Sequence, residues 1–236
     1  MATVGSVDVW STEDAMVLTA QMSILPRVQL ATHRTIQEPR DHRFSPYEAN
    51  GGTCVGIAGQ DFAVLASDTR LSSDYSILSR NDSKATELND KCVVATGGCR
   101  ADVITLHKNL QMRAHQYQLA HEEDMSCAAA AQLLSNTLYY KRFFPFHVFN
   151  VLAGLDGDGK GAVYTYDSIG SHERTEYAAQ GSAQKLIIPV LDSVVGYKNR
   201  EHDDSPPPPP LTVEEVVRAC VRACPPIFFS ALGCCR

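Results

Sequence analysis

The order of strand-like and helical segments is the feature of this sequence that most constrains its fold. Two β-rich apolar runs, at residues 53–58 and 62–67, are separated by Gly59-Gln60-Asp61. This is a hairpin signal, because Gly readily supplies the positive φ of a tight turn. Further strand-like runs lie at residues 75–78, 92–96, 148–155, 162–167 and 177–179. Strands that come in antiparallel groups, with paired helices between them, predict two helix-covered sheets rather than a βαβ fold.

Helical periodicity separates the groups of strands. After Gly97-Gly98, apolar residues recur at intervals of three and four and mark one face of a helix: Val103, Leu106, Leu110, Ala114 and Tyr117. A second helix is predicted over residues 126–141, with Ser126 as its N-cap and Pro145 beyond its end. Another is predicted over residues 183–191, and Thr212-x-x-Glu215 is a capping box that opens a further helix. The five prolines at 206–210 predict a stiff spacer, with PxxP recognition as the alternative.

Composition and charge argue against several classes of function. The formal charge of −6 and the pI near 5.7 disfavour nucleic-acid binding, which usually shows as a basic patch. No stretch approaches the roughly 20 apolar residues of a membrane-spanning helix, and the N-terminus lacks the layout of a secretory signal. There is no CxxC pair and no HExxH motif, so neither a metal site nor a cofactor is predicted. The cysteines are expected to be small buried hydrophobes of an intracellular protein.

An ordered set of short motifs resembles one known family. Residues 50–57 (NGGTCVGI) are followed by residues 66–70 (ASDTR), then by Lys84, and then by Gly97-Gly98 with Asp102. Each motif is weak alone, but the combination resembles the beta subunits of the proteasome, a family of N-terminal threonine hydrolases. The runs RFSPY and RFFP, at residues 43–47 and 142–145, add to the resemblance, which covers residues 43 to 217. It implies an α+β fold, a four-layer αββα sandwich of two antiparallel sheets.

The resemblance also implies a catalytic framework without its nucleophile. In active members the hydroxyl of an N-terminal threonine attacks the peptide, and the free amine of that residue is the base. A nearby aspartate and lysine support the attack, and a backbone N–H of the Gly-Gly turn stabilises the oxyanion. Carried over by spacing, the framework here is Asp68, Arg70, Lys84 and Gly98. The nucleophile position is Gly52, which has no hydroxyl.

Thr53 is the alternative nucleophile, because Gly52-Thr53 looks like the bond that active members cleave. Neighbouring residues on a strand point to opposite faces of the sheet. Thr53 is therefore expected to face away from Asp68 and Lys84, and the framework residues are interpreted as scaffold. Asp68 and Arg70 are read as a polar pair, and Lys84 as a relic or a surface lysine.

The expected function follows from the resemblance. It implies a non-catalytic structural subunit that assembles with other alpha- and beta-type subunits in stacked rings and contributes to ubiquitin-dependent protein degradation in the cytoplasm and nucleus. The alternatives are a threonine endopeptidase processed to Thr53 and a free-standing binding protein that uses the proline run.

The two ends of the chain lie outside the predicted domain, which covers residues 43–218. Residues 1–42 are interpreted as a leader that is trimmed near Arg43. Residues 219–236 depart from the family, which continues with a supporting aspartate and further strands, and Pro225-Pro226 are expected to cut the last helix. We therefore expect the C-terminal strands to be missing without a proper substitute, an open sheet edge, and uncovered apolar residues around Val151 and Val163.

Overall fold

The computed structural model describes residues 45–198, 212–223 and 233–235. The leader, the proline run and Pro225-Pro226, on which three of the predictions rest, lie outside these residues. Within them no helix is both long and apolar enough to cross a bilayer. The strands are β1 Thr53–Ala58, β2 Ala63–Ser67, β3 Leu71–Ser73, β4 Ser76–Ser79, β5 Ala85–Asn89, β6 Cys92–Gly98, β7 Val148–Leu155, β8 Gly161–Tyr166, β9 His172–Thr175, β10 Tyr177–Gly181 and β11 Gly233–Cys235. The helices are α1 Arg100–His121, α2 Cys127–Tyr140, α3 Gln184–Val194 and α4 Val213–Ala223.

The strands form two antiparallel sheets and a small ribbon. One sheet has the order β10-β1-β2-β11, and the other has the order β5-β6-β7-β8-β9. The predicted hairpin joins β1 to β2, with Ala58 opposite Ala63. The ribbon consists of β3 and β4. No pairing within these sheets is parallel, which agrees with the rejection of a βαβ fold.

The described helices and sheets form four layers, and an apolar cluster lies at each of the three contacts between neighbouring layers. The inner faces of the two sheets pack on each other through one cluster, which includes Leu65 and Val151. The pair α1 and α2 covers the outer face of the five-stranded sheet. The pair α3 and α4 covers the outer face of the four-stranded sheet. The predicted αββα sandwich is confirmed.

The helix signals located the helices closely. On α1 the predicted residues Val103, Leu106, Leu110 and Ala114 are buried. Ser126 caps α2 by accepting a hydrogen bond from the N–H of Ala129 at 3.2 Å. The capping box of α4 is formed in both directions: the N–H of Thr212 donates to Glu215 Oε2 at 3.0 Å, and the N–H of Glu215 donates to Thr212 Oγ1 at 3.4 Å.

Four short strands were missed, and three of them share one physical cause. Strands β3, β5 and β9 are rich in Ser, Thr, Asn and charged residues, and they have no strictly buried face. Each lies in the two-stranded ribbon or at an outer edge of the larger sheet. Because neither face of such a strand is fully buried, its sequence does not alternate between apolar and polar residues.

The C-terminal segment contains helix α4, which runs to Ala223, and Ala219 and Cys220 pack in the core of the α3–α4 layer. The segment differs from its prediction in two ways. Strand β11 pairs antiparallel with β2, with Cys234 opposite Val64, so a three-residue strand does cover this edge. Val151 and Val163 are fully buried between the sheets, because they point inward and away from any open edge.

Candidate functional site

The candidate site lies at the start of β1, where two glycines precede the strand. Gly51 and Gly52 have φ values of 73° and 105°, in the region that favours glycine. A Cβ placed on Gly52 would lie 2.7 Å from Lys84 Cε and 3.4 Å from Asp68 Oδ1. Position 52 therefore aims at the two polar residues that spacing had assigned to it.

Lys84 is buried beneath this turn and holds three groups together. Its ammonium forms an ion pair with Asp68 Oδ1 at 3.2 Å. It also donates to the carbonyl oxygens of Asp68 and Arg70, at 3.2 and 2.6 Å. An ammonium has three N–H donors, so these partners use all of them. Lys84 is 3% exposed, which rules out the surface-lysine interpretation.

Thr53 turns its two polar groups to different partners. Its N–H donates to Asp68 Oδ1 at 2.8 Å. Its hydroxyl oxygen accepts a hydrogen bond from the N–H of Ala183, at the start of α3, at 3.2 Å. The hydroxyl serves the backbone next to α3, and Asp68 is engaged by the amide of Thr53 and the ammonium of Lys84.

The predicted oxyanion donor is already used inside the chain. The N–H of Gly98 donates to the carbonyl of Gly51 at 3.0 Å. Gly98 has a φ of 117°, and a Cβ there would collide with the carbonyl oxygen of His147. Gly98 is thus required by the tight approach of two backbone segments, and its N–H is part of that approach.

The carbonyl of Gly52 is held on the opposite side. It accepts a hydrogen bond from the N–H of Ser182 at 3.0 Å, and the neighbouring Gly181 has no room for a Cβ beside it. A cavity of about 80 Å³ remains at this turn, and Gly52, Gly98 and Phe149 are among the residues that line it. Among the described residues no group of His, Cys, Asp and Glu side chains could hold a metal ion.

Two features that brace the site were not predicted. Asn50 accepts from the N–H of Arg100 at 2.8 Å and donates to the carbonyl of Ser72 at 3.2 Å. It therefore connects the glycine turn to the first turn of α1, whose N-cap residue Cys99 makes no side-chain capping bond. The signal that could have found it is an Asn directly before a Gly-Gly pair, since such residues often bond nearby backbone groups.

The second feature is a buried polar chain behind the Gly97-Gly98 turn. Thr96 Oγ1 donates to Asn150 Oδ1 at 2.8 Å and contacts His107 Nε2 at 2.7 Å. Because the Thr96 proton goes to Asn150, His107 Nε2 must be the donor in their contact. His107 Nδ1 then accepts from Thr86 Oγ1 at 2.8 Å. Burial, with the charge of Arg100, lowers the pKa of His107 to about 4, so the ring is neutral at pH 7.

The arrangement brings Asp68, Lys84 and Gly98 around Gly52, as the spacing predicted. Arg70 joins them through its carbonyl. The site has no hydroxyl at position 52, and its predicted oxyanion donor, the N–H of Gly98, is bonded to the carbonyl of Gly51. Its geometry is that of a hydrolase framework in which each polar group serves the protein's own backbone.

Comparison with known proteins identifies the class. The family model for "Proteasome subunit" matches residues 48–222, which is well over half of the chain. This chain belongs to the proteasome subunit family.

Individual relatives refine the resemblance. The chain is 61% identical to proteasome subunit beta type-1 of Oryza sativa subsp. japonica over 147 residues, which are 62% of this chain and 66% of the rice protein. It is 45% identical to proteasome subunit beta type-1 of Dictyostelium discoideum over 185 residues, 78% of this chain and 76% of that one. It is 44% identical to proteasome subunit beta type-6 of Saccharomyces cerevisiae over 186 residues, 76% of this chain and 77% of the yeast protein. The chain thus spans about two thirds to three quarters of these relatives.

Proposed function

We propose that this chain is a non-catalytic structural subunit of the proteasome core particle. It would occupy one position in a beta ring, contact other alpha- and beta-type subunits, and contribute to protein degradation in the cytoplasm and nucleus without cutting peptides. The observation that carries the proposal is the residue at position 52. A side chain at this position would point at Lys84 and Asp68, but the residue is a glycine and supplies no nucleophile.

The surrounding hydrogen bonds support a structural role for the framework. Nucleophilic catalysis by threonine requires a base next to the hydroxyl and a donor for the oxyanion. The donor N–H of Gly98 is bonded to Gly51, and the ammonium of Lys84 is bonded to three oxygens. Both groups already have their hydrogen-bond partners within the chain and need none from a substrate. They therefore stabilise the glycine turn.

The alternative, an endopeptidase with Thr53 as nucleophile, has weaker support. Cleavage before Thr53 would free its nitrogen next to Asp68. The hydroxyl, however, is directed to Ala183 rather than to Lys84. Use of Thr53 would require the residue to rotate within β1, where it lies opposite Gly181.

A covalent probe distinguishes the two functions. Assembled particles that contain this chain are treated with a β-lactone, which acylates the hydroxyl of catalytic N-terminal threonines, and each subunit is analysed by mass spectrometry. We expect the active subunits of the same particle to gain the acyl mass and to serve as the internal control. This chain should stay unlabelled and should retain residues upstream of Gly52. Acylation of Thr53, or an N-terminus at Thr53, would refute the proposal.

A further inference from the structure

A set of large side chains at the end of the α1–α2 layer is exposed to solvent. Phe143 is 87% exposed and Tyr140 is 82% exposed, and their neighbours are also accessible. We call this set the aromatic surface; its members are the exposed Met112, Tyr139, Tyr140, Phe143 and Phe144, together with the exposed Arg142 among them. Large contiguous apolar patches are rare on monomeric proteins and mark interaction sites.

The aromatic surface is held in a fixed arrangement. The guanidinium of Arg142 lies 4.7 Å from the centre of the Tyr139 ring and 4.4 Å from that of Phe143. The Phe144 ring stacks on Tyr47 at 5.5 Å, and the hydroxyl of Tyr47 donates to the carbonyl of Pro145 at 2.7 Å. Side chains that are already ordered lose little conformational entropy when a partner binds.

A groove of about 320 Å³ adjoins this surface between α1 and α2. Met112 and Tyr140 lie on its wall with two cations, Arg113 and Lys141, and none of the described residues that line it is acidic. Among the described residues, no carboxylate forms an ion pair with Arg113, Lys141 or Arg142. The region therefore combines aromatic rings, an apolar recess and uncompensated positive charge on a chain whose net charge is −6.

We propose that the aromatic surface docks a neighbouring subunit of the same particle, and that the contacting face of this neighbour carries carboxylates among aliphatic side chains. The inference rests on the proposed function and adds to it the surface and the chemistry of the partner. Aromatic residues, Met and Arg are enriched in protein–protein interfaces, where a few of them carry most of the binding energy. Carboxylates opposite the three cations would fix the orientation of the contact.

The same features favour a protein over a nucleic acid. Nucleic acids are bound by basic stripes that neutralise many phosphates. Here only two cations, Arg113 and Lys141, line a recess whose walls include Met112, Tyr140 and Phe146. Such a recess is suited to an inserted aliphatic side chain.

The test is competitive incorporation into the particle. The full chain and its variants Phe143→Ser and Arg142→Glu are each co-expressed with the partner subunits, and the fraction in the assembled particle is measured against the free 25.8 kDa chain. Leu119→Ser is the matched control, because Leu119 is 72% exposed on α1 and does not belong to the aromatic surface. The thermal midpoint of each free variant checks that the fold is retained.

We expect Phe143→Ser and Arg142→Glu each to reduce incorporation about tenfold or more, with Leu119→Ser equal to the parent chain. The inference is overturned if both variants incorporate like the parent, or if Leu119→Ser fails to the same extent. If the parent chain itself never enters the particle, the proposed function fails, and the docking inference fails with it. These outcomes are distinct, because the first two require a parent chain that assembles.

Discussion

A Cβ built on Gly52 would lie 2.7 Å from Lys84 Cε. The Lys84 ammonium is bonded to Asp68 and to two carbonyls, so its stem cannot withdraw without loss of those bonds. The buried side chain of Lys84 therefore fills the space that a side chain at position 52 would need. Only glycine at position 52 leaves room for Lys84 in this arrangement.

Gly52→Thr should not create a peptidase. Its φ of 105° disfavours a β-branched residue, and the new Cβ must displace Lys84, so we expect a loss of about 2 kcal/mol in the free energy of unfolding. Chemical denaturation of the free chain measures this loss, and acylation by a β-lactone in the assembled particle reports activity. Gly52→Ala is the control, because it adds a Cβ at the same φ and carries no hydroxyl. A labelled Gly52→Thr subunit would contradict the proposed non-catalytic role of this framework.

Thr53→Ala should leave every peptidase activity of the particle unchanged and should affect stability. The substitution leaves the N–H of Ala183 without its hydroxyl partner, which costs about 1 kcal/mol. Thr53→Ser keeps the hydroxyl and should recover most of that loss. Peptidase assays with three fluorogenic substrates, together with a urea titration, measure both effects. Loss of one specific activity with assembly intact would assign catalysis to Thr53.

Lys84→Met should strongly destabilise the fold. Removal of one partner from a buried ion pair leaves Asp68 uncompensated, and the carbonyls of Asp68 and Arg70 also lose a donor, so we expect a loss of about 3 kcal/mol. Arg174→Met is the matched control, because the Arg174–Asp156 pair is partly exposed and screened by solvent, so its loss should lower the free energy of unfolding much less. Urea denaturation of both variants gives the comparison. Equal losses would show that burial of Lys84 contributes nothing special.

Stability should fall with acidification through the titration of His107. Its pKa is about 4 in the folded chain and about 6.5 when unfolded, so the unfolded state binds the extra proton first. The stabilisation is complete above pH 6.5 and is lost progressively towards pH 4, by about 3 kcal/mol in total. Urea midpoints between pH 7 and pH 4 measure the slope. His107→Gln should remove this component, and an unchanged slope in that variant would assign the pH dependence to other groups.

The C-terminal segment should limit assembly. A chain with residues 219–236 replaced by a family-like end is expected to enter the particle better than the present chain, because β11 covers β2 with only three residues. Co-expression of both forms with the partner subunits, followed by quantification of each form in the particle, tests this. Equal incorporation would mean that the short strand is a sufficient substitute.

Much of the site could be predicted from sequence, because spacing along regular elements determines direction. Once β1 and β2 form a hairpin, position 52 and Asp68 must lie near each other. Lys84 directly precedes β5, so its place in the chain is also fixed by a regular element. The bond between Gly98 and Gly51 could not be predicted in this way. It joins two backbone groups from distant turns, and such contacts have no side-chain signature.

Side chains that do not follow the apolar pattern account for the other omissions. His107 follows Leu106 on the buried face of α1, and its position alone predicts burial. Its partners Thr86 and Thr96 come from β5 and β6, so the polar chain exists only in the tertiary structure. Strand β11 has the sequence GCC, which carries no strand signal, and only the exposed edge of β2 explains its pairing.

The pairing of β11 with β2 has a consequence for synthesis of the chain. Leu65 leaves the ribosome early, whereas its partner Gly233 is separated from it by most of the sequence. At ordinary rates of translation the edge of β2 must therefore wait about ten seconds or longer for its neighbour. During that interval the hairpin presents unpaired backbone groups to the cell, and a chaperone or an early-binding subunit would find there a strand-shaped site that the finished chain no longer offers.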